Sequence, residues 1–267
     1  MPGMTTQTEE LSNSDEAPAW AEWRERVASP DDLAACVEAL GLLPLRAEAP
    51  WPALWQMLAP GTTTTTAWAW VGTLIARRQL FSGRVLPGLE SVCLTSLPVF
   101  ALAFARGPGS DPLAGYRAGL FGITGKAVVE LLLARGPLTM QQIRLGLGQH
   151  KRFLIHDTPK VMAELERALT VIAGGPELAA AWRPTEAKNR PPARPPSRFN
   201  PPPSKDLDLR VWELTMRWAP PAALAAADRL REHPPQAREG LRARLLALHP
   251  RVTGAELDAL LGEDPHP

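Results

Sequence analysis

The dipeptide Gly136-Pro137 constrains the fold more than any other feature of this chain. Proline has no backbone N–H and its ring clashes with the preceding helical turn, so a helix running up to Arg135 must stop there. On the near side, Val128, Val129, Leu132 and Leu133 recur at helical spacing. They predict a helix over 125–134, capped by Thr124, with these four residues inside. On the far side, Thr139 stands as the cap of a second helix that buries Met140, Ile143 and Leu147 and ends at Gly148. A longer turn over 149–157 leads to a third helix. Asp157 or Thr158 caps it, Pro159 sits near its first position, and Val161, Leu165, Ala168 and Leu169 follow at helical spacing. "TVIAGG" then reads as a strand and turn, with the alanine-rich "LAAAW" as the returning strand. Three helices followed by a two-stranded hairpin is the order of a winged helix, the three-helix relative of helix-turn-helix.

Residues 183–205 carry eight prolines, with Arg183, Lys188, Arg190, Arg194, Arg198 and Lys205 against Glu186 alone. No core can form from such a composition, so the stretch reads as a stiff basic linker of polyproline character. It suits either a phosphate backbone or a solvated connection. Beyond it, "LDLRVWELTMRWA", "PAALAAADRLREH", "PQAREGLRARLLALH" and "VTGAELDALLG" read as short helices, Thr253 capping the last.

Upstream, "AWAEWRERV", "PDDLAACVEALGLL" and "APWPALWQMLAPG" predict three short helices. The run Thr62 to Thr66 is a capping loop or the start of a strand. A helix follows in which Trp68, Val71, Leu74 and Ile75 have helical spacing, then a strand at "SVCLT" and a helix from Ser96. Six of the nine tryptophans lie at or before Trp70. Trp51, Trp55, Trp68 and Trp70 are candidates for a base-stacking pocket, but tryptophan at these spacings is more often core.

The fold class expected is therefore mainly α with small β wings: one or more winged-helix domains plus a C-terminal helical domain. The boundaries expected are a disordered polar tail over 1–18, a domain over 19–115 that is either simply helical or winged-helix-like, a central winged helix over 116–183, the basic linker over 184–205 and a small helical domain over 206–267. A hydrophobic fraction of 45% fits a folded core. With 29 basic and 28 acidic residues, net charge says nothing about partners, and any nucleic-acid contact must rest on local clustering. No signal peptide and no apolar run long enough to span a bilayer is present, so a cytoplasmic protein without membrane contact is expected. Cys36 and Cys93 lie outside any metal-ligand spacing and read as free buried thiols, so no cofactor or metal is expected.

Local clustering does occur. Residues 140–160 hold Arg144, Lys151, Arg152 and Lys160 against the one acid Asp157, with His150 and His156 adding polar groups. A winged helix presents the start of its third helix to the major groove. Lys151 and Arg152 then approach phosphates and Lys160 faces the groove, with Arg190, Arg194 and Arg198 as linker contacts. The plainer reading is the solvated side of a small domain. No P-loop, GxGxxG, HExxH or GxSxG occurs, and no catalytic acid or base stands out.

"WAWVGTLIARRQLFSGRVLPGLESVCLTSLPVFALAFARG", "GITGKAVVELLLARGPLTMQQIRLGLG" and "VMAELERALTVIAGG" together resemble the AlkZ-like winged-helix superfamily over roughly residues 51–182. That superfamily includes bacterial glycosylases that excise alkylated or crosslinked bases. The resemblance implies tandem winged helices around a DNA-binding channel. In the glycosylases a Gln-x-Asp or Gln-x-Gln motif positions the hydrolytic water. Here Gln56, Gln79, Gln141 and Gln149 are followed two positions later by Leu58, Phe81, Ile143 and Lys151, and Gln7 by Glu9 in the N-terminal tail. No catalytic residue is therefore carried over. The expectation is a protein that binds double-stranded DNA, damaged or not, mainly through phosphates, in repair or regulation. A divergent alkylbase glycosylase and a protein-interaction scaffold are the competing readings.

Overall fold

A computed structural model describes residues 20–46, 51–107, 109–150, 158–174, 210–249 and 251–262. The expected tail over 1–18, the turn residues Lys151, Arg152 and His156, the strand "LAAAW" and the linker over 184–205 lie outside the described residues.

The first half builds one winged-helix-like unit. Helix α1 (Pro30–Leu40) is capped by Ser29, whose hydroxyl accepts from the Asp32 N–H, with Pro30 at its first position. It leads into β1 (Leu42–Pro44), a single turn α2 (Leu54–Met57) and α3 (Thr64–Ala76). The threonine run proves to be a cap: the Thr63 hydroxyl accepts from the Thr66 N–H. Strands β2 (Leu80–Gly83) and β3 (Cys93–Ser96) close the unit as an antiparallel sheet of order β1-β3-β2. Upstream, "AWAEWRERV" yields only one 3-10 turn, Ala21–Trp23, not the expected helix.

After α4 (Leu97–Ala105) and the short α5 (Ala114–Arg117), the second half repeats the first. Helix α6 (Ile123–Arg135) gives way to β4 (Leu138–Thr139), α7 (Met140–His150), α8 (Thr158–Arg167), β5 (Val171–Gly174) and β6 (Val211–Leu214), with sheet order β4-β6-β5. Both units thus run helix, strand, helix, helix, strand, strand, and in both the last strand takes the middle of the sheet.

Several local expectations are corrected. Helix α6 starts from Gly122 with no side-chain cap, so Thr124 lies inside it; Leu131 rather than Leu133 faces inward, Leu133 being 41% exposed. Helix α7 runs through Gly148 to His150. Its start is as expected: Thr139 and Gln142 bond each other's backbone N–H reciprocally, at 3.2 and 2.8 Å. The segment expected as a helix at "LDLRVWELTMRWA" is instead strand β6 followed by one turn, α9 (Thr215–Trp218). Val-Trp-Glu-Leu suits a sheet with packing on both faces. The proline-rich stretch therefore joins two strands of one sheet.

Those faces serve two cores. Val171, Ala173, Trp212 and Leu214 pack with α6, α7 and α8, while Ile172 and Val211 belong to the core of the first unit. Period-two alternation sends successive side chains to opposite faces, which explains why β5 and β6 are buried throughout. Arg217 holds β6 in register with α6. It pairs with the buried Glu213 at 2.7 Å and donates to the Leu132 carbonyl at the end of α6.

Helices α10 (Pro221–Arg231), α11 (Pro234–Leu248) and α12 (Gly254–Leu261) complete the chain. Helices α10 and α11 pack on α4 and α12 packs on α11, and Ala227, Leu241, Leu245 and Leu257 join the first unit's core. Trp218 sits at the meeting point against Phe81 and Phe100, its Nε1–H donating to the Ile75 carbonyl at 2.7 Å. Among the described residues no helix is long and apolar enough to cross a membrane.

Candidate nucleic-acid interface

The face expected to meet DNA is formed by α7 and α8. In α7, Ile143 and Leu147 point into the core, which leaves Gln141, Gln142, Arg144 and Leu145 outward. In α8, Val161, Met162 and Leu165 are buried and Lys160 and Arg167 are exposed. Arg144 and Lys160 thus lie on the solvent sides of successive helices. His150 ends α7; Lys151, Arg152, His156, Arg190, Arg194 and Arg198 lie outside the described residues.

The tryptophans do not gather into a stacking pocket. Trp51 is buried edge-on against His249, ring centroids 5.5 Å apart. Trp55 is 54% exposed and Trp70 half-buried. Trp68, 38% exposed on α3, lies under the Arg210 guanidinium at 5.2 Å.

Residues that sequence reading missed converge at the junction of the two units, where β2 lies beside β5. Glu166, in the last turn of α8, is only 5% exposed. Its Oε1 accepts from Trp212 Nε1–H at 3.4 Å, and its Oε2 lies 3.7 Å from Arg84 Nε. Burial pushes the Glu166 carboxyl above its ordinary value, against the pull of Trp212 and then of Arg210, Arg84 and Arg167. Arg210, just before β6, is pushed down by burial and by Arg46, and held up by Glu166. Two Arg84 donors, Nε and Nη1, are buried without a hydrogen-bond acceptor among the described residues. Sequence held one clue. Glu166 falls between Met162 and Leu169 on the inward side of α8, where a carboxylate needs a buried partner.

A separate cleft of about 260 Å³ opens between the ends of α4 and α8 and the loop after β2. Val85, Ala103, Leu120 and Leu169 give it apolar walls, and Glu164, Arg106 and Arg167 supply its charges.

Paired units of this order define a winged-helix-like protein, and the second unit carries cationic residues on its second and third helices. The AlkZ-related family model matches residues 27–179, more than half of the chain, and the chain belongs to that family. The match takes in the first unit and the second as far as β5, and ends before β6. Comparison with curated proteins and with solved structures finds no match in either.

Proposed function

We propose that this protein binds double-stranded DNA through phosphate contacts made by the second winged-helix-like unit, in a repair-associated or regulatory role. The observation that carries the reading is the α7–α8 face, where amphipathic packing leaves Arg144 and Lys160 in solvent on consecutive helices. Lys151 and Arg152 fall in the connection between those helices, and Asp157 is the one acid over 140–160. Guanidinium and ammonium groups so arranged neutralise phosphates and release counterions, which makes binding steeply salt-dependent.

The test is binding to labelled duplex DNA, undamaged and alkylated, across a salt series. Micromolar or tighter affinity is expected, falling with salt. Neutralising Arg144, Lys151, Arg152 and Lys160 together to glutamine lowers affinity by about tenfold or more and flattens the salt slope. Failure to bind either duplex at low salt sinks this reading and leaves a protein-interaction module.

A divergent alkylbase glycosylase is the second reading, favoured by the cleft beside Glu164. A carboxylate at an apolar pocket can position water against an extruded base. Abasic sites formed by the wild type on alkylated duplex, and lost with Glu164→Gln, would move the protein to the enzymes.

A further inference from the structure

We infer that the junction of the two units holds a phosphate-binding site, in which Arg46 and Arg210 grip the anion beside the exposed ring of Trp68. The inference deepens the DNA-binding reading by adding a contact point remote in sequence from the α7–α8 face.

Three guanidiniums from three parts of the chain act on one carboxylate here, and a fourth, Arg46, acts on one of the three. Arg46 follows β1, Arg84 follows β2, Arg167 ends α8 and Arg210 precedes β6. Glu166 interacts with Arg84, Arg167 and Arg210, and Arg46 adds repulsion to Arg210. Arginine stays charged at any accessible pH, so among the described residues these four guanidiniums outnumber the one carboxylate. Among the described residues, neither Arg46 nor Arg210 forms a salt bridge. Arg46 is exposed and Arg210 partly so, whereas the Arg84 and Glu166 side chains are 17% and 7% exposed. An incoming anion relieves the repulsion that Glu166 alone leaves uncancelled.

Phosphate fits better than a simpler anion for two reasons. The Arg210 guanidinium lies over the Trp68 ring at 5.2 Å, which restrains it, and a guanidinium suits phosphate because it can offer two parallel N–H···O bonds. The same tryptophan offers an exposed flat surface next to the anion, where the sugar or base attached to a phosphate would rest. The phosphate can come from a nucleic-acid backbone or from a free monoester such as a nucleotide.

The experiment compares the full-length wild type with Arg46→Gln/Arg210→Gln in two titrations. One uses duplex DNA across a salt series. The other uses thymidine 5′-monophosphate, with inorganic phosphate as a second probe, read by tryptophan fluorescence; Trp68→Phe identifies the signal. Should the double variant unfold, Arg46→Gln alone carries the test, because its side chain is in solvent. Removing two backbone contacts lowers the slope of log affinity against log salt by about 1.8, and one by about 0.9. That result, with no monophosphate signal, assigns the site to nucleic-acid phosphates. A Trp68 response to the monophosphate that the Arg46 and Arg210 changes abolish assigns it to a monoester, and stands even if no duplex binds. Duplex binding lost only through the α7–α8 changes, with no Trp68 response to either probe, overturns the inference while leaving the proposed function intact.

Discussion

The two winged-helix-like units share one path of the chain and differ in what they are tied to. In both, the third helix ends in the same hydrogen-bonded turn. Gln79 N–H reaches the Leu74 carbonyl and Arg78 N–H that of Ile75; Thr170 N–H reaches Leu165 and Leu169 N–H reaches Glu166. The residue in left-handed conformation is Arg78 in one unit (φ 59°) and Leu169 in the other (φ 50°). This is the Schellman turn without its usual glycine.

Around that shared frame the units part company. The first has a short connection over 84–92 between β2 and β3, held from behind by α12: Gly88 N–H donates to the Leu260 carbonyl at 2.9 Å. A β-carbon at Gly88 would fall 2.7 Å from Leu260 Cα, so glycine is what lets the two backbones approach. The second unit has a connection over 175–210 between its last strands and a smaller core of its own. The first unit is braced by the C-terminal helices, while the second keeps its α7–α8 face in solvent.

The comparison can be broken most severely at Trp218, which serves the first unit's core. Trp218→Ala removes a buried indole and its bond to Ile75, and should cost about 4 kcal/mol in urea unfolding. If the second unit stands on its own core, hydrogen exchange in α6 and α7 should then outlast that in α3 and α4. Arg217→Ala strikes the second unit instead. It strips the buried Glu213 carboxylate of its partner, at about 3 kcal/mol, and should expose α6 and β6 first. Glu213→Gln/Arg217→Met should recover most of that loss; no recovery would mean that the pair is not what fixes β6.

A sharper contrast comes from the shared turn. Arg78→Gly relieves left-handed strain at an exposed residue and should stabilise by about 0.5–1 kcal/mol. Leu169→Gly relieves the same strain but empties a buried position, and should destabilise by about 2 kcal/mol. Equal signs in thermal unfolding would contradict the two assigned environments.

The smallest effect is expected from His249, whose Nε2 lies 2.7 Å from the Leu40 carbonyl, joining the end of α11 to the end of α1. Burial depresses its pKa below the ordinary value, outweighing the Leu40 hydrogen bond. The folded chain therefore binds fewer protons there than the unfolded chain. Stability should fall as pH drops through about 6.5, and His249→Gln should flatten that dependence. A wild-type melting temperature equal at pH 7.5 and 5.5, beside a variant that changes, would refute the sign. The Cys36 thiol, by contrast, is pushed by burial up to about 12 and should resist alkylation in the folded state.

Much of the second unit was legible in sequence. Gly136-Pro137 placed the break between α6 and β4, Thr139 placed the start of α7, and the apolar spacing of α8 was correct at Val161 and Leu165. The repeat was expected from the resemblance, but its element-by-element correspondence was not legible. It resides in backbone hydrogen bonds and strand order, which Arg78 and Leu169 satisfy without the glycine that would have marked both turns. Strand β6 was missed because its sheet partners precede a long proline-rich stretch, and local periodicity carries no record of a partner so distant.

Sequence by itself determined that the chain must turn at Gly136-Pro137, that α7 and α12 begin at Thr139 and Thr253, and that residues 140–160 carry surplus positive charge. These properties depend on neighbours a few positions apart, where sterics and capping act directly. Only tertiary structure decided that Val211–Leu214 completes the second sheet, that the C-terminal helices brace the first unit, that Glu166 meets Arg84 and Trp212, and that Arg210 lies over Trp68. Such meetings depend on which faces two cores bury against each other, and that is settled by the packing of the whole chain.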